Sequence, residues 1–277
     1  MSEKKPQDNI KEMEKCGVYI YGIIKEPHPK SFDFLGIEDC PVHTVNYLEM
    51  AAVVSKIREV EVYPTRKNLL AHTKVQDILL GNYTLLPMVF GVIAQSEVKQ
   101  AGSLLHAGQA GSLLHIKKLL ENNYLGLEQE LKRLSEKIEV ELKVFWNKDA
   151  LNQELANSYK YTKIVNQIKE TSASLKKQNL LAEAGELVEK VALKWQKKID
   201  QEVYHSLKSL AVEACLNKLS GITNILNASF LVEKTKENEF RAQVYQYDAL
   251  YEDKVNFKYI APLPPYNFVR LKLKEGK

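Results

Sequence analysis

Apolar residues along this chain change period several times, and each change marks an element. Residues 17–24, GVYIYGII, are apolar at nearly every position and rich in β-branched and aromatic side chains, which predicts an interior strand. KEPHPKSFDFLGIED follows with two prolines and several turn formers, and residues 42–47 and 50–57 then read as a strand hairpin. A helix is expected from Asn68, because Leu69, Leu70, His72, Val75, Ile78 and Leu79 fall mainly on one helical face. TLLPMVFGVI, residues 84–93, reads as one strand with Met88 and Phe90 in the core and Pro87 at a bulge or edge. Strand, hairpin, helix and strand in that order suit a ferredoxin-like sheet covered by helices.

The second half is more helical. Ile116, Leu120, Tyr124, Leu127, Leu131, Leu134 and Ile138 step by three or four, and VELKVFW then returns a strand ending at Trp146. Helical spacing resumes after Asp149, an expected N-cap, through Leu151, Leu155, Tyr159, Val165 and Ile168. It runs again over residues 181–219, where Ala184, Val188, Trp195, Ile199, Leu207 and Ala214 keep the step between flanks rich in Lys and Glu. An antiparallel, coiled-coil-like helical hairpin over about 149–219 is expected, with strands at 225–232 and 255–260 and a helix at 237–250 around it. The ending APLPPYNFVRLKL is extended, since its prolines exclude a helix and Val269, Leu271 and Leu273 alternate.

QAGSLLH occurs twice, from Gln100 and from Gln109. A nine-residue shift turns a helix by about half a turn in remainder, so one amphipathic helix cannot bury both Leu-Leu pairs. With Gly102, Gly108 and Gly111 nearby, residues 100–115 read as a duplicated loop or broken helix. The fold class is therefore α+β in two parts, residues 17–136 and 137–277, after a flexible arm at 1–16.

Composition narrows the function by exclusion. A net charge of +4, from 39 basic and 35 acidic residues, is too small to indicate nucleic acid. Cys16, Cys40 and Cys215 are far apart and lack CxxC spacing, as free thiols in a reducing cytoplasm would be. The polar start and the lack of any run of about 20 apolar residues argue against a signal peptide or membrane span. No phosphate loop, GxGxxG, HExxH or GxSxG occurs, and the histidines lack ligand spacing, so neither catalysis, cofactor nor metal is expected. His72 reads as a surface or capping histidine and Cys215 as a small buried helical residue. Tyr19 and Tyr21 share one face of the first strand, where they could form part of an aromatic interface.

Several strings, taken together and in order, resemble the gas vesicle protein F/L family: VYIYGI, AAVVSKI, RKNLLAHTKV, LLPMVFGVI, KIEVELKVFW, NASFLV and PLPPYNFV. The resemblance spans Val18 to Val269. It implies a ferredoxin-like N-terminal domain, a C-terminal α+β domain with a helical hairpin, and no catalytic residues. It further implies a cytoplasmic accessory or minor structural role in gas vesicle assembly, binding the main shell protein and other accessory proteins. Tyr19, Tyr21, Arg66, Asn68 and His72, in the first strand and the RKNLLAH helix opening, are the candidate partner-binding residues. The duplicated QAGSLLH and Ala261, where the family often has Gly, depart from the pattern. A ligand-binding regulator on a ferredoxin-like sheet is the alternative; RNA binding ranks lower, because GVYIYGII lacks the basic and glycine pattern that stacking on a sheet requires.

Overall fold

A computed structural model describes residues 17–274 except 60, 95, 96, 101, 102, 107 and 222, and of residues 97–100, 103–106 and 108–111 it describes the backbone alone. The expected arm at 1–16 lies outside the described residues. The chain forms two compact units, one running to Ser135 and resuming from Val269, the other Glu136–Phe268.

In the first unit, β1 (Gly17–Lys25), β2 (Ser31–Leu35), β3 (Pro41–Tyr47), β4 (Met50–Ile57) and β5 (Leu85–Pro87) form an antiparallel sheet ordered β2-β3-β4-β1-β5. The short β6 (Ile93–Ala94) also pairs with β1. All of β1 but its last residue is buried, which is why its sequence is apolar without alternation. α1 (Arg66–Asn82) packs Val75 and Leu79 onto the face carrying Tyr19, Tyr21, Val42 and Val53. α2 (Gly108–Leu134) packs against β1, β3 and β4, burying Ile116, Leu120 and Leu127. Each such aliphatic side chain contributes about 1.5–3 kcal/mol by leaving water.

Three sequence expectations change here. Residues 31–35 are an edge strand that the surrounding prolines concealed, because alternating Phe32 and Phe34 supply only two inward positions. Residues 84–93 are two short strands separated by a turn, with Gly91 at φ 90°, and Met88 and Phe90 lie outside both. The expected loop at 100–115 carries regular structure: Ser103–His106 is β8, paired with β7 (Glu97–Gln100), whereas the second SLLH lies on α2.

The second unit has the connectivity β–α–β–β–α–β. Its strands β9 (Lys137–Trp146), β10 (Glu213–Leu216), β11 (Asn224–Glu233) and β12 (Val255–Leu263) are antiparallel in the order β10-β11-β9-β12, the split βαβ arrangement. Ile138 belongs to β9, because the helix before it ends at Leu134. The first crossover holds α3 (Lys148–Ala156), α4 (Tyr159–Glu170), α5 (Ser174–Ile199), a π-helical turn at Asp200–Tyr204 and α6 (His205–Leu210); the second is α7 (Glu237–Leu250). Asn147, not Asp149, caps α3, accepting the Asp149 amide at 3.0 Å. α4 and α5, joined by residues 171–173 alone, pack together as antiparallel neighbours, with the exposed Lys160–Glu183 ion pair at 3.0 Å between them. The helical pattern expected to reach residue 219 stops at Leu210, and Ala214 and Cys215 are on β10. Ala214 sat in step with the helix by coincidence, since a single apolar residue satisfies either period.

One sheet face carries Val140, Leu142, Val144, Phe230 and Val232 into a core with Trp195, Ile199, Leu207 and Phe240. On the other, Glu139 is buried and accepts from the Asn267 backbone N at 2.9 Å and from Asn267 Nδ2 at 2.5 Å, while Nδ2 also reaches Ser229 Oγ at 3.0 Å. Burial raises the Glu139 pKa, and these donors oppose the rise.

Candidate interaction surface

α1 begins where Thr65 turns the chain. Its Oγ1 accepts the Asn68 amide at 3.2 Å, and Asn68 Nδ2 donates to the Tyr63 carbonyl at 3.0 Å. His72, Val75, Gln76, Leu79 and Leu80 form the buried stripe. Opposite and beside it, Arg66 is exposed, and Tyr63, Leu69 and Leu70 are 66%, 41% and 59% exposed. Leu69 stands one turn before His72 and Thr73 on the flank from which Gln76 reaches the β5–β6 connection.

Polar atoms inside the core hold that connection. The Gly91 amide donates to Tyr19 Oη at 3.0 Å, which leaves the tyrosine proton for His72 Nδ1 at 2.9 Å. His72 also bonds the Met88 backbone. Gln76 Nε2 donates to the carbonyls of Tyr21 at 2.7 Å and Met88 at 2.9 Å, while the Met88 amide donates to Tyr21 at 3.0 Å. Phe90 closes the cluster edge-on to Tyr19 and His72, at 6.1 and 5.7 Å between ring centres. Burial lowers the His72 pKa from 6.5 to about 4, so the ring is neutral and its Nδ1 accepts. At the tip of the connection held this way, Val89 is 63% exposed.

The five sequence candidates therefore separate. Tyr19 and Tyr21 are fully buried and His72 is 3% exposed, so the expectation of an aromatic surface and of a surface histidine is corrected: all three face inward under α1. A strand apolar on both faces gives no sign of which residues meet solvent. Tyr21 Oη instead accepts the Ile37 amide at 2.8 Å and donates to Ser55 Oγ at 3.0 Å. Arg66 and Asn68 stay on the outer first turn of α1, beside Tyr63 and Leu69. Sequence reasoning missed Val89, although a glycine two residues on, Gly91, was the available sign of a turn.

Among the described residues no three His, Cys, Asp or Glu side chains are grouped to hold a metal ion. Burial raises the pKa of Cys40 and of Cys215, which keeps both as thiols. Among the described residues no helix is long and apolar enough to cross a membrane. What the first unit offers is a set of exposed apolar side chains on a base fixed by buried hydrogen bonds, an arrangement suited to recognition.

Comparison with known proteins points one way. The family model for gas vesicle synthesis protein GvpL/GvpF matches residues 17–270. Gas vesicle protein F of Dolichospermum flosaquae is 26% identical over 260 residues, covering 92% of this chain and 98% of that protein. Gas vesicle protein F1 of Halobacterium salinarum is 25% identical over 256 residues, covering 91% and 92%. The crystal structure of GvpF from Anabaena sp. superposes with a TM-score of 0.69 at 22% identity, over 95% of this chain and 99% of that one. That of GvpF from Microcystis aeruginosa gives 0.68 at 24%, over 92% and 99%, so this chain shares their fold.

Proposed function

The chain belongs to the GvpL/GvpF family of gas vesicle synthesis proteins, and from that premise we propose that it is a non-enzymatic accessory or minor structural protein of gas vesicle assembly. It binds the main gas vesicle shell protein, together with other accessory proteins, while the shell nucleates and grows, and it works in the cytoplasm at the vesicle. The observation that carries this reading is the exposure of Tyr63, Leu69 and Leu70 beside Arg66 and Asn68 at the start of α1, and of Val89 at the tip of the β5–β6 connection. A shell subunit with apolar surfaces needs them covered before it assembles, and exposed aliphatic and aromatic groups on a rigid support do this without nucleotide. Gln76, His72 and Tyr19 are the support, because they fix the backbone on which Val89 stands. We read the β3-β4-β1-β5 order of the first unit as a ferredoxin-like sheet without its first crossover helix, and the α4–α5 pair as a short coiled-coil-like hairpin for accessory partners.

The test is capture of the shell protein by the full-length chain in a co-expressing host, followed in the soluble fraction and on washed vesicles. Leu69→Asp with Leu70→Asp, and separately Val89→Asp, should each lower soluble capture by about tenfold while leaving the folded yield unchanged. Capture by both variants at the wild-type level removes this surface from the proposal; no capture by the wild type, alone or with the other accessory proteins, removes the binding role itself.

A further inference from the structure

β10 is an edge of the sheet in the Glu136–Phe268 unit, and among the described residues it pairs with β11 alone. Its register sets Glu213, Ala214, Cys215 and Leu216 opposite Leu231, Phe230, Ser229 and Ala228. The Asn217 amide donates to the Asn227 carbonyl at 2.7 Å, and antiparallel alternation from there turns the N–H and C=O of Ala214 and Leu216 away from β11. An edge of this kind is a template for another strand. Side chains divide between the two faces in the same alternation. Ala214 packs on the core and Leu216 stands beside Leu193 of α5, whereas Glu213 and Cys215 lie on the opposite face.

What flanks the edge limits its occupant. α5 packs on β11, which leaves a groove of about 470 Å³ between that helix and β10, walled by Leu193, Leu216, Leu219 and Leu226. Leu193 and Leu216 are 55% and 56% exposed. Lys197 and Asp200 are the charged residues lining the groove, and they offset each other, so it calls for an uncharged, apolar occupant.

A second copy of the same edge meets these requirements. About a two-fold axis perpendicular to the sheet, an added antiparallel strand keeps every side chain on its own face. The register that puts Ala214 of each copy opposite Leu216 of the other bonds every outward N–H and C=O of both residues, and sets a small side chain beside a large one. Glu213 then falls opposite Asn217 of the other copy, so no like charges meet. The two α5 helices, three strand spacings apart, lie about 14 Å from each other. Direct helix packing takes about 8–10 Å, and Leu193 and Leu216 of both copies occupy the difference. Cys215 falls on the axis, facing its own copy in a pair without hydrogen bonds, with Cα atoms about 4.5 Å apart.

We infer that the chain pairs with a second copy of itself, β10 to β10 about this axis, joining two sheets into one with an apolar seam between the two α5 helices. The interface uses nothing of the surface on α1 and stands or falls independently of it.

The experiment uses the full-length chain. Sedimentation velocity across the micromolar range should show a reversible monomer–dimer equilibrium. Leu216→Lys, which sets a charge on the edge, should weaken it at least about tenfold, and so should Leu193→Lys on the other wall of the seam. Both positions are exposed, and circular dichroism checks that both variants fold. The register is read separately on the unsubstituted chain, where oxidation by copper phenanthroline should give a disulfide-linked dimer that dithiothreitol reverses, since about 4.5 Å between Cα atoms lies within disulfide range. Cys215→Ser should abolish that dimer, whereas Cys16→Ser with Cys40→Ser, which leaves Cys215 alone, should keep it. Cross-linking unaffected by Cys215→Ser, or an equilibrium indifferent to both lysine substitutions, overturns the proposal. So does a chain that stays monomeric throughout, which would leave the edge to a strand from another protein.

Discussion

His72 is 3% exposed beneath the connection it holds, and burial lowers its pKa from 6.5 to about 4. Between those values the unfolded chain binds a proton that the folded chain does not, so stability rises with pH across this window and is fully present above it. The contribution is on the order of 3 kcal/mol, lost as the pH falls from about 6.5 to 4. His72→Gln should flatten that part of the dependence, as urea midpoints measured on both proteins at a series of pH values will record. Gly36 gives a second residue-scale expectation. A Cβ there would fall far inside van der Waals contact distance of Tyr21 Oη, and 3.1 Å from Ser55 Oγ, where Tyr21 is already fixed by two hydrogen bonds. Gly36→Ala should therefore lower unfolding stability by about 1–3 kcal/mol in denaturant titration, as overpacked sites do. The sequence placed Tyr19 and Tyr21 correctly on one strand face but could not tell which way that face looked. Their partners, Ile37, Ser55, His72 and Gly91, lie between 16 and 72 residues away.

Among the elements, β4 (Met50–Ile57) and the helix Glu237–Leu250 have the bounds that the sequence pattern predicted, whereas α1 starts at Arg66 rather than Asn68. The difference is the Thr65 cap, whose side chain satisfies an amide of the first turn before any apolar residue appears. Thr65→Ala should cost about 1 kcal/mol of stability, checked by chemical denaturation with helicity followed by circular dichroism. Apolar runs were harder to divide. In residues 84–93 every side chain up to Gly91 but Thr84 and Pro87 looks like core, yet the turn at Gly91 breaks the run into β5 and β6. QAGSLLH makes the limit plain: the same SLLH is strand at residues 103–106 and helix at 112–115, so neighbours and not composition decide. The apolar surface around Leu69 and Val89 was equally hidden, because exposed and buried leucines read alike in a sequence.

At the scale of the whole molecule, alternation of Val269, Leu271 and Leu273 announced an extended ending but not its partner. The segment returns to the first unit, where Glu130 accepts the Arg270 amide at 2.7 Å. Asn123 there accepts the Lys274 amide at 2.9 Å and donates to the Lys274 carbonyl at 3.0 Å. Glu130 is held ionised by Arg133, whose guanidinium lowers its pKa, with the Arg270 amide acting in the same direction. Asn123→Ala should leave the strands of the second unit protected while hastening hydrogen exchange at the amides of Arg270 and Lys274, a pattern that exchange mass spectrometry resolves. Unchanged exchange at those amides would show that the side chain does not hold the strap. The same return has a consequence for biosynthesis. A ribosome releases the β1–α2 region long before it has made residues 270–274, and by then the whole of the Glu136–Phe268 unit has been synthesised. The first unit must therefore wait, unsealed along α2, for the last strap of its own structure, and during that interval its apolar surfaces are open to whatever the cell supplies.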